Sequence, residues 1–297
     1  MTAGLQHLHL AVIPTLRRDP ERLMQLTSSL AAAGVPSRLV VTGRRLRERL
    51  RDLEMAHVTQ EANPGFAETI HFGAHMNDWE WLHIVNDDIT VTPALTDVVS
   101  AVEESDPRQM HLYFVDPEPR RHLPTARRVF TSVALLDPVM NRLPGRWGRA
   151  APAPEGDWYK SFSYVCVSRG LWDALGGLDR RFPYTYEDAD FTRRARNVGA
   201  SIHEVEIPAV AHEGSSTSRR HIGRVLPVGV WSARQYLVSR GHRPELAAGL
   251  VTAALAVRTF MSPLVDAQLG DHLSGIGQAV FHVWRSTPPR LPEYEEN

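Results

Sequence analysis

The first part of the chain alternates short apolar runs with stretches whose apolar positions recur at helical spacing. The apolar runs lie at residues 9–13, 38–42, 57–59 and 81–85, and the helical patterns between them lie near residues 20–33, 46–54 and 66–76. Alternation of strand and helix indicates parallel strands in one central sheet with helices on its faces. The pattern therefore predicts an α/β, Rossmann-like fold with a mostly parallel central sheet.

Each predicted strand is followed by a short cluster of polar or turn-forming residues. The clusters are Pro14-Thr15, Thr42-Gly43, Asn63-Pro64-Gly65 and Asn86-Asp87-Asp88. In a parallel sheet the carboxyl ends of the strands share one edge, where ligands bind. We expect these clusters to converge there.

The second half of the chain is less regular and ends in helices. Residues 116–158 are dense in proline and arginine and indicate a long excursion that could contact substrate. Strands are predicted at 162–167 and 201–211, and helices at 171–175 and 187–198, with a helical pattern from residue 219 onward. We expect one α/β domain over residues 1–218 and a C-terminal helical extension over residues 219–297.

Composition is ordinary for a soluble globular protein, with 43% hydrophobic residues, 23% charged residues and a formal net charge of −1. This charge gives no general attraction to nucleic acid or anionic membrane. The single cysteine, Cys166, lies in an apolar run and predicts a buried thiol. The N-terminus lacks a secretory pattern, so we expect a cytoplasmic location. The apolar stretch 247–257 falls short of the roughly 20 residues that span a bilayer, so no transmembrane segment is expected.

The Asn86-Asp87-Asp88 cluster offers hard oxygen ligands at a strand end, which suit Mg²⁺ or Mn²⁺. Asp88 is the first choice of ligand. Because neighbours on an extended chain point to opposite sides, Asp87 would meet a substrate hydroxyl or a backbone amide instead. The alternative is that the three residues simply form a turn.

Glu187 and Asp188 begin a helical pattern, where the positive end of the helix favours an ionised carboxylate able to accept a proton. Adjacent helical residues diverge by about 100 degrees, so only one of them can be the base. The alternative is that both merely complement the helix dipole. We assign Asp190 and Arg193–Arg196 to a solvated face.

His212 follows the last predicted strand and is a candidate third metal ligand, although a single histidine there is also compatible with a structural role. Neither a phosphate-binding Walker motif nor a dinucleotide-binding fingerprint is present.

In order and spacing these segments resemble the inverting glycosyltransferases of family 2, which have the GT-A fold. The rhamnosyl- and galactofuranosyltransferase-like branch is the most similar. The likeness runs from about residue 10 to residue 216. It rests on residues 11–15, Asn63-Pro64-Gly65-Phe66-Ala67, Val85-Asn86-Asp87-Asp88, Gly176-Gly177-Leu178-Asp179, Tyr186-Glu187-Asp188-Ala189-Asp190-Phe191 and Val210-Ala211-His212.

The resemblance implies that residues 1–218 form a catalytic domain. Asp88 and His212 would bind a divalent cation, Mn²⁺ or Mg²⁺. Asp188 would be the catalytic base, and Glu187 would hold the acceptor hydroxyl. The remaining residues, Pro14, Thr15, Asn63, Gly65, Asn86 and Asp87, would bind the nucleotide-sugar.

The implied activity transfers a sugar from a UDP-, dTDP- or GDP-linked donor to an acceptor hydroxyl on a glycan, a lipid-linked glycan or a small molecule. Two departures from the family pattern concern the nucleotide and the metal. The second strand ends in Val41-Thr42-Gly43 without the usual acidic residue, and Asn86 stands in place of the first aspartate of the Asp-X-Asp motif.

Two rival interpretations remain. A sugar-nucleotide pyrophosphorylase has similar metal chemistry but normally carries a glycine-rich loop after the first strand, and residues 14–18 contain no glycine. A non-catalytic nucleotide-sugar-binding protein is the other.

The apolar spacing of Leu246, Leu250, Ala253, Ala254 and Val257 predicts packing on the core or a homodimer surface. The alternatives are docking of the acceptor and contact with the inner face of the membrane.

Overall fold

The computed structural model describes residues 8–16, 19–60, 62–76, 78–137, 155–212, 221–265 and 269–291. Within these ranges the strands are β1 His9–Thr15, β2 Ser37–Val41, β3 Val58–Thr59, β4 Trp81–Val85, β5 Ile89–Val91, β6 His111–Phe114, β7 Arg121–His122, β8 Trp158–Tyr159, β9 Tyr164–Ser168, β10 Ser201–Glu204 and β11 Val210–His212. The helices are α1 Pro20–Ala32, α2 Arg44–Asp52, α3 Phe66–Ala74, α4 Leu95–Glu103, α5 Ala126–Val133, α6 Arg169–Leu175, α7 Glu187–Asn197, α8 Ile222–Ser239, α9 Pro244–Val265 and α10 Leu269–Arg285.

Seven strands form the central sheet in the order β10-β6-β9-β4-β1-β2-β3. All neighbouring pairs are parallel except those made by β9, which runs antiparallel to β4 and β6. The predicted α/β fold with a mostly parallel central sheet flanked by helices is therefore confirmed. The order also places the carboxyl ends of β1 and β4 side by side.

The apolar runs are continuous because both faces of the sheet are buried, as is usual for parallel strands. In β1, Ala11 and Ile13 join the core cluster that includes α1, α2 and α4. Leu10 and Val12 point to the opposite face and join the cluster that includes α3, α6 and α7. The alternation of side chains along an extended strand thus divides one apolar run between two cores.

The strand predicted over residues 201–211 is instead two strands in different sheets. Residues Ser201–Glu204 pair in parallel with β6, whereas Val210–His212 pair antiparallel with β5. Pro208 lies between them and lacks an amide to donate to a sheet, which favours the break.

The proline- and arginine-rich excursion contains structure that its sequence did not predict. Strands β7 and β8 pair antiparallel, and α5 follows β7 with Thr125 as its N-cap. Residues 138–154 of the excursion lie outside the described residues.

A third core cluster joins the C-terminal helices to the rest of the chain. Buried residues of α8, α9 and α10 pack with Val129 of α5, with Phe182 and with Ala189 of α7. The C-terminal helices therefore share a core with α5, with α7 and with Phe182. The domain boundary near residue 218 is not tested by this packing and stays a prediction.

The packed face of α9 overlaps the predicted stripe. Ala254 is buried, and Leu250 and Val257 pack against the third core cluster. Ala247, Val251 and Leu255 are also buried, whereas Leu246 is 64% exposed. The packed face therefore excludes Leu246 and includes buried residues that the stripe left out.

The apolar stretch in α9 is longer than the sequence pattern indicated. Residues Pro244–Pro263 form a 20-residue segment with a mean hydropathy of 1.4, long and apolar enough to cross a membrane by length and composition only. Of its most apolar window, 39% is buried inside the protein. The core helix of a soluble protein meets the same criteria, so the stretch is weak evidence for a membrane span.

Candidate active site

The ends of β1 and β4 are joined by a direct hydrogen bond. The Thr15 hydroxyl donates to Asp87 Oδ2 at 2.6 Å, and Thr15 itself is buried. This bond holds Asp87 against the end of β1, with a threonine hydroxyl as a partner that the sequence did not predict. Asp87 and Asp88 lie in a turn between β4 and β5, so the alternation of an extended strand does not apply to them. Pro14 precedes Thr15 in β1 and is half-buried. The predicted convergence of these strand ends is thus observed.

Asp88 lies between β4 and β5 and is 8% exposed. Strand β11 pairs with β5 so that His212 lies opposite Ile89, the residue after Asp88. The backbone therefore places the two predicted metal ligands at neighbouring positions. The side chain of His212 lies outside the described residues. Among the side chains that are described, no group of three or more histidine, cysteine, aspartate or glutamate residues could hold a metal ion.

Asn63 and Gly65 shape the turn that leads from β3 into α3. The Gly65 amide donates to Asn63 Oδ1 at 3.1 Å, and Gly65 adopts φ 101° and ψ 166°. Only glycine adopts this backbone region readily. A Cβ at Gly65 would lie 2.5 Å from the carbonyl oxygen of Pro183. The glycine is therefore required both by its backbone conformation and by the close approach of residue 183.

Asn86 is held at the sheet edge by its backbone. Its amide donates to the Ser163 carbonyl at 2.8 Å. The Ser163 hydroxyl in turn donates to Asp116, and both of these residues are buried. This connection fixes the loop after β4 against the residues before β9. The Asn86 side chain borders a large cavity.

The cavity has a volume of about 980 Å³ and is open to solvent. Glu187 and Asp188 line it together with Asn86. Both acids lie in the first turn of α7, which begins after Tyr186, a residue with φ 74°. This positive φ is uncommon for a residue other than glycine, and such backbone outliers cluster at functional sites. The sharp entry to α7 directs its first acids into the cavity.

The charges of the two acids are set by burial. Burial raises the pKa of Asp188 from its ordinary value of 3.8 to about 6, against the opposing effects of the Ala189 amide and the positive charge of Arg121. Burial and the negative charge of Asp188 raise the pKa of Glu187 well above its ordinary value. The two groups titrate as a pair. Near neutral pH we therefore assign the negative charge to Asp188 and a proton to Glu187.

Hydrogen bonds agree with this division. The Ala189 amide donates to Asp188 Oδ1 at 2.7 Å. Glu187 Oε2 is buried and has no hydrogen-bond partner among the described residues. A buried carboxyl oxygen without a partner is costly unless a ligand or a proton satisfies it. The pair thus offers one acceptor of protons and one group ready to bond a ligand.

Arg121 and Tyr159 also line the cavity, and the sequence analysis did not single them out. They lie opposite each other in the β7–β8 pair, and the charge of Arg121 acts on Asp188. Arg121 also bonds Glu118 at 2.8 Å. The high arginine content of residues 116–158 was the available signal. The pairing of β7 with β8 joins residues far apart in the chain and could not be inferred from it.

Asp190 and Arg194 do not lie on a solvated face, contrary to the prediction for this part of α7. Asp190 is buried and forms ion pairs with Arg193 at 2.7 Å and Arg194 at 2.6 Å. Arg194 also donates to the carbonyls of Leu175 and Gly177. Asp190 and Arg194 thus connect α7 to the end of α6, which takes their charges out of the solvated face. This network supports the base of the acidic turn.

The predicted site residues fall into three groups. Thr15 and Asp87 are bonded to each other, with Pro14 and Asp88 on the same sheet edge. Asn86, Glu187 and Asp188 share the large cavity. Asn63 opens onto a different cavity, which it lines with Pro64, so the structure does not bring it together with the acid pair.

No family model and no curated protein matches the chain. Solved structures are similar to it. A mannosyltransferase from Pyrobaculum calidifontis in complex with GDP-Man and Mn²⁺ is 14% identical, with 94% of this chain and 88% of that chain covered and a TM-score of 0.48. Residues 1–349 of TarS from S. aureus are 15% identical, with 94% and 91% covered and a TM-score of 0.43. A longer TarS structure is 14% identical, with 94% and 55% covered and the same TM-score. Likeness at this level concerns the overall fold and does not extend to substrates or to the roles of residues.

Proposed function

We propose that the protein is an inverting glycosyltransferase that moves a sugar from a nucleoside-diphosphate donor to an acceptor hydroxyl. The observation that carries the proposal is the pair of acids in the first turn of α7, buried Glu187 and half-buried Asp188, on the wall of a cavity shared with Asn86. The order of motifs along the chain gives independent support.

Asp188 is the proposed general base. Its pKa of about 6 leaves it ionised at neutral pH while keeping it basic enough to take a proton from a hydroxyl group. Effective bases have a pKa close to the working pH. Asp190 cannot fill this role, because both of its carboxylate oxygens are bonded to arginines.

Glu187 is proposed to orient the acceptor. In its protonated form it can donate a hydrogen bond to the acceptor oxygen, and its buried Oε2 needs a partner. Two neighbouring acids with different proton affinities can thus divide the work of binding and proton removal. The acceptor oxygen attacks the anomeric carbon, the bond to the diphosphate breaks, and the acceptor proton passes to Asp188.

The residues at the sheet edge fit a divalent cation. Asp88 offers a buried carboxylate, and β11 brings the histidine at position 212 to the neighbouring position. Carboxylate oxygen together with imidazole nitrogen suits Mn²⁺, and Mg²⁺ is the alternative. When bound, the cation would act as a Lewis acid that neutralises the departing diphosphate. Asp87 is not included among the proposed ligands, and its Oδ2 accepts a hydrogen bond from Thr15.

The nucleotide is proposed to lie along the ends of β1 and β4, bounded by Pro14, Thr15 and Gly65. Asn63, which the sequence also suggested, lines the other cavity and is left out of the proposed site. The proposal covers UDP-, dTDP- and GDP-linked donors. The acceptor is a glycan, a lipid-linked glycan or a small molecule, and the large open cavity over Asp188 can admit any of these.

The proposal is tested by measuring release of nucleoside diphosphate from UDP-, dTDP- and GDP-sugars with Mn²⁺ and a mixture of glycan acceptors. Asp188→Asn should lower turnover by about 10²–10⁴-fold, the usual contribution of a general base. Donor affinity should stay unchanged, because the substitution removes proton transfer and leaves the donor site intact.

Asp97→Asn is the matched control, because Asp97 also lies in the first turn of a helix but is exposed and does not line the cavity of Asp188. It should keep wild-type turnover. Near-wild-type turnover in Asp188→Asn would exclude Asp188 as the base. Donor binding without any release by the wild-type protein would favour the non-catalytic alternative.

A further inference from the structure

A second cavity lies between α8, the turn at residues 62–64 and the end of the described chain. Its volume is about 700 Å³. Its lining contains four arginines and no acidic residue: Arg180, Arg181, Arg234 and Arg290. Cavities of this size are typical of sites for small molecules, and the proposed mechanism does not use this one.

Two of the four arginines have their charge matched by a neighbouring acid. Arg180 forms an ion pair with Glu68 at 3.0 Å, and Arg181 pairs with Asp179. Arg234 and Arg290 form no ion pair with any described residue. The cavity therefore carries a net positive charge, most of it at α8 and at the segment that follows α10.

Arg234 is buried and has one hydrogen-bond donor that no described residue satisfies. It is 6% exposed, and its Nη2 atom donates to the Ser286 hydroxyl at 3.1 Å. Its Nε atom is buried without a hydrogen-bond partner among the described residues. The guanidinium lies 5.5 Å from the ring centroid of Trp231, which also lines the cavity. A buried guanidinium with a spare donor is costly unless an acceptor completes its bonding.

We propose that this cavity binds a phosphate-bearing ligand, with Arg234 and Arg290 contacting the phosphate. Guanidinium groups offer paired donors that match phosphate oxygens, and a dianion would balance the unmatched charge. The organic part of the ligand would pack against Trp231 and the prolines at positions 288 and 289. The site is separate from the cavity of Asp188, and the inference does not depend on glycosyl transfer.

The test is calorimetric titration of the full chain with pyrophosphate and inorganic phosphate in the presence of a chelator. Wild type should bind pyrophosphate. Arg234→Gln and Arg290→Gln should each weaken binding by about tenfold or more, the loss expected when a hydrogen bond to a charged group is removed. Arg224→Gln is the matched control, because Arg224 is an exposed arginine on α8 outside the lining, and it should bind as wild type does.

Arg290→Gln keeps the test decisive if Arg234→Gln does not fold, since Arg290 is exposed and forms no ion pair with the residues that the structure describes. Equal binding by Arg290→Gln and wild type, or no binding by wild type, would overturn the proposal. Binding that required Mn²⁺ and was lost in Asp88→Ala would assign the phosphate to the donor site, and would overturn it as well.

Residues 292–297 include three glutamates. A chain that ends at Leu291 is therefore a further arm of the experiment. If the shortened chain binds pyrophosphate and the full chain does not, the acidic residues of the protein itself compete for the cavity. That result would overturn the ligand proposal. The source of the phosphate is distinguished by comparing a soluble phosphomonoester with vesicles containing phosphatidic acid. Arg290-dependent binding to either one supports the site and names its source.

Discussion

At the scale of single residues, the proposed chemistry depends on a carboxylate that folding makes harder to ionise. Asp188 is half-buried in the first turn of α7, and its pKa rises to about 6 although a helix N-terminus normally favours the charged form. The loss of contact with water raises this pKa more than the Ala189 amide and Arg121 lower it. The same burial that makes Asp188 a better base also makes its ionised form unfavourable for stability.

This opposition predicts a pH-dependent stability change in Asp188→Asn. The pKa of Asp188 is higher in the folded protein than its ordinary value of 3.8. The contribution of Asp188 to the free energy of unfolding is therefore most favourable below pH 3.8 and is lost as the pH rises through about 6. Replacing Asp188 with asparagine should therefore stabilise the protein at pH 8 by about 1–3 kcal/mol, and should change little at pH 3. Denaturant unfolding at both pH values measures the effect.

Asp97→Asn should show no such gain, because Asp97 is exposed. Catalytic turnover of the wild type should decline as pH falls below about 6, because protonated Asp188 accepts no proton. A loss of stability in Asp188→Asn at pH 8 would contradict the assignment of a desolvated carboxylate.

At the scale of elements, the sequence pattern predicted those features that depend on a single strand or helix. The runs at residues 9–13 and 81–85 became β1 and β4, and the acids at 187 and 188 open a helix as expected. Thr15 and Asp87, each placed at a strand end, are bonded to each other. Local patterns sufficed here because parallel strands bring their carboxyl ends to a common edge.

Features that arise between distant parts of the chain could not be predicted. The antiparallel direction of β9 and the pairing of Arg121 with Tyr159 each depend on contacts across many residues. The bonds of Arg194 to the carbonyls of Leu175 and Gly177 likewise join α7 to an earlier part of the chain. The cavity lined by Arg234 likewise exists only because α8 and the final described segment meet residues 62–64.

Gly65 provides a test of the turn before α3. Gly65→Ala should cost about 3 kcal/mol or more, because the backbone region it occupies is essentially restricted to glycine and its new Cβ would clash with the Pro183 carbonyl. Donor affinity should fall as well. Gly34→Ala is the control, because Gly34 has φ 79° but no atom within 4 Å of a built Cβ.

Gly34→Ala should cost only about 1–2 kcal/mol, the usual penalty of a left-handed conformation. Urea unfolding of the two variants separates the penalty of conformation from that of crowding. Equal losses would show that Pro183 can move, and that the turn does not depend on the close approach seen here.

The role of α9 can be tested with one substitution at two positions. Leu255→Ala should destabilise the protein by about 2–5 kcal/mol, because Leu255 is buried in the third core cluster. Leu246→Ala should change stability by no more than about 0.5 kcal/mol, because that side chain is mostly exposed. A larger loss at Leu246 would indicate that the exposed side of α9 is covered by another molecule, such as a second copy of the chain.

At the scale of the whole molecule, two core clusters lie on the faces of the central sheet and a third joins the C-terminal helices to α5 and α7. The acids of the proposed active site begin α7, which contributes to the second and third clusters. Strand ends supply Asp88 and Asn86, α7 supplies the acids, and α8 lines both the acid-bearing cavity and the arginine-lined one. The C-terminal helices thus form part of the walls of both cavities. Exposed Phe260, Phe281 and Trp284 on α9 and α10 remain available for contact with a partner or a membrane.

The most direct test of the central claim is calorimetric titration of UDP-, dTDP- and GDP-sugars into the wild-type protein, each with Mn²⁺ or with chelator, and into Asp88→Ala. The account predicts that one nucleotide class binds in the presence of Mn²⁺, and that this metal-dependent affinity is lost in Asp88→Ala but kept in the surface control Asp97→Ala. Unchanged affinity in Asp88→Ala, or no binding of any donor, would contradict it.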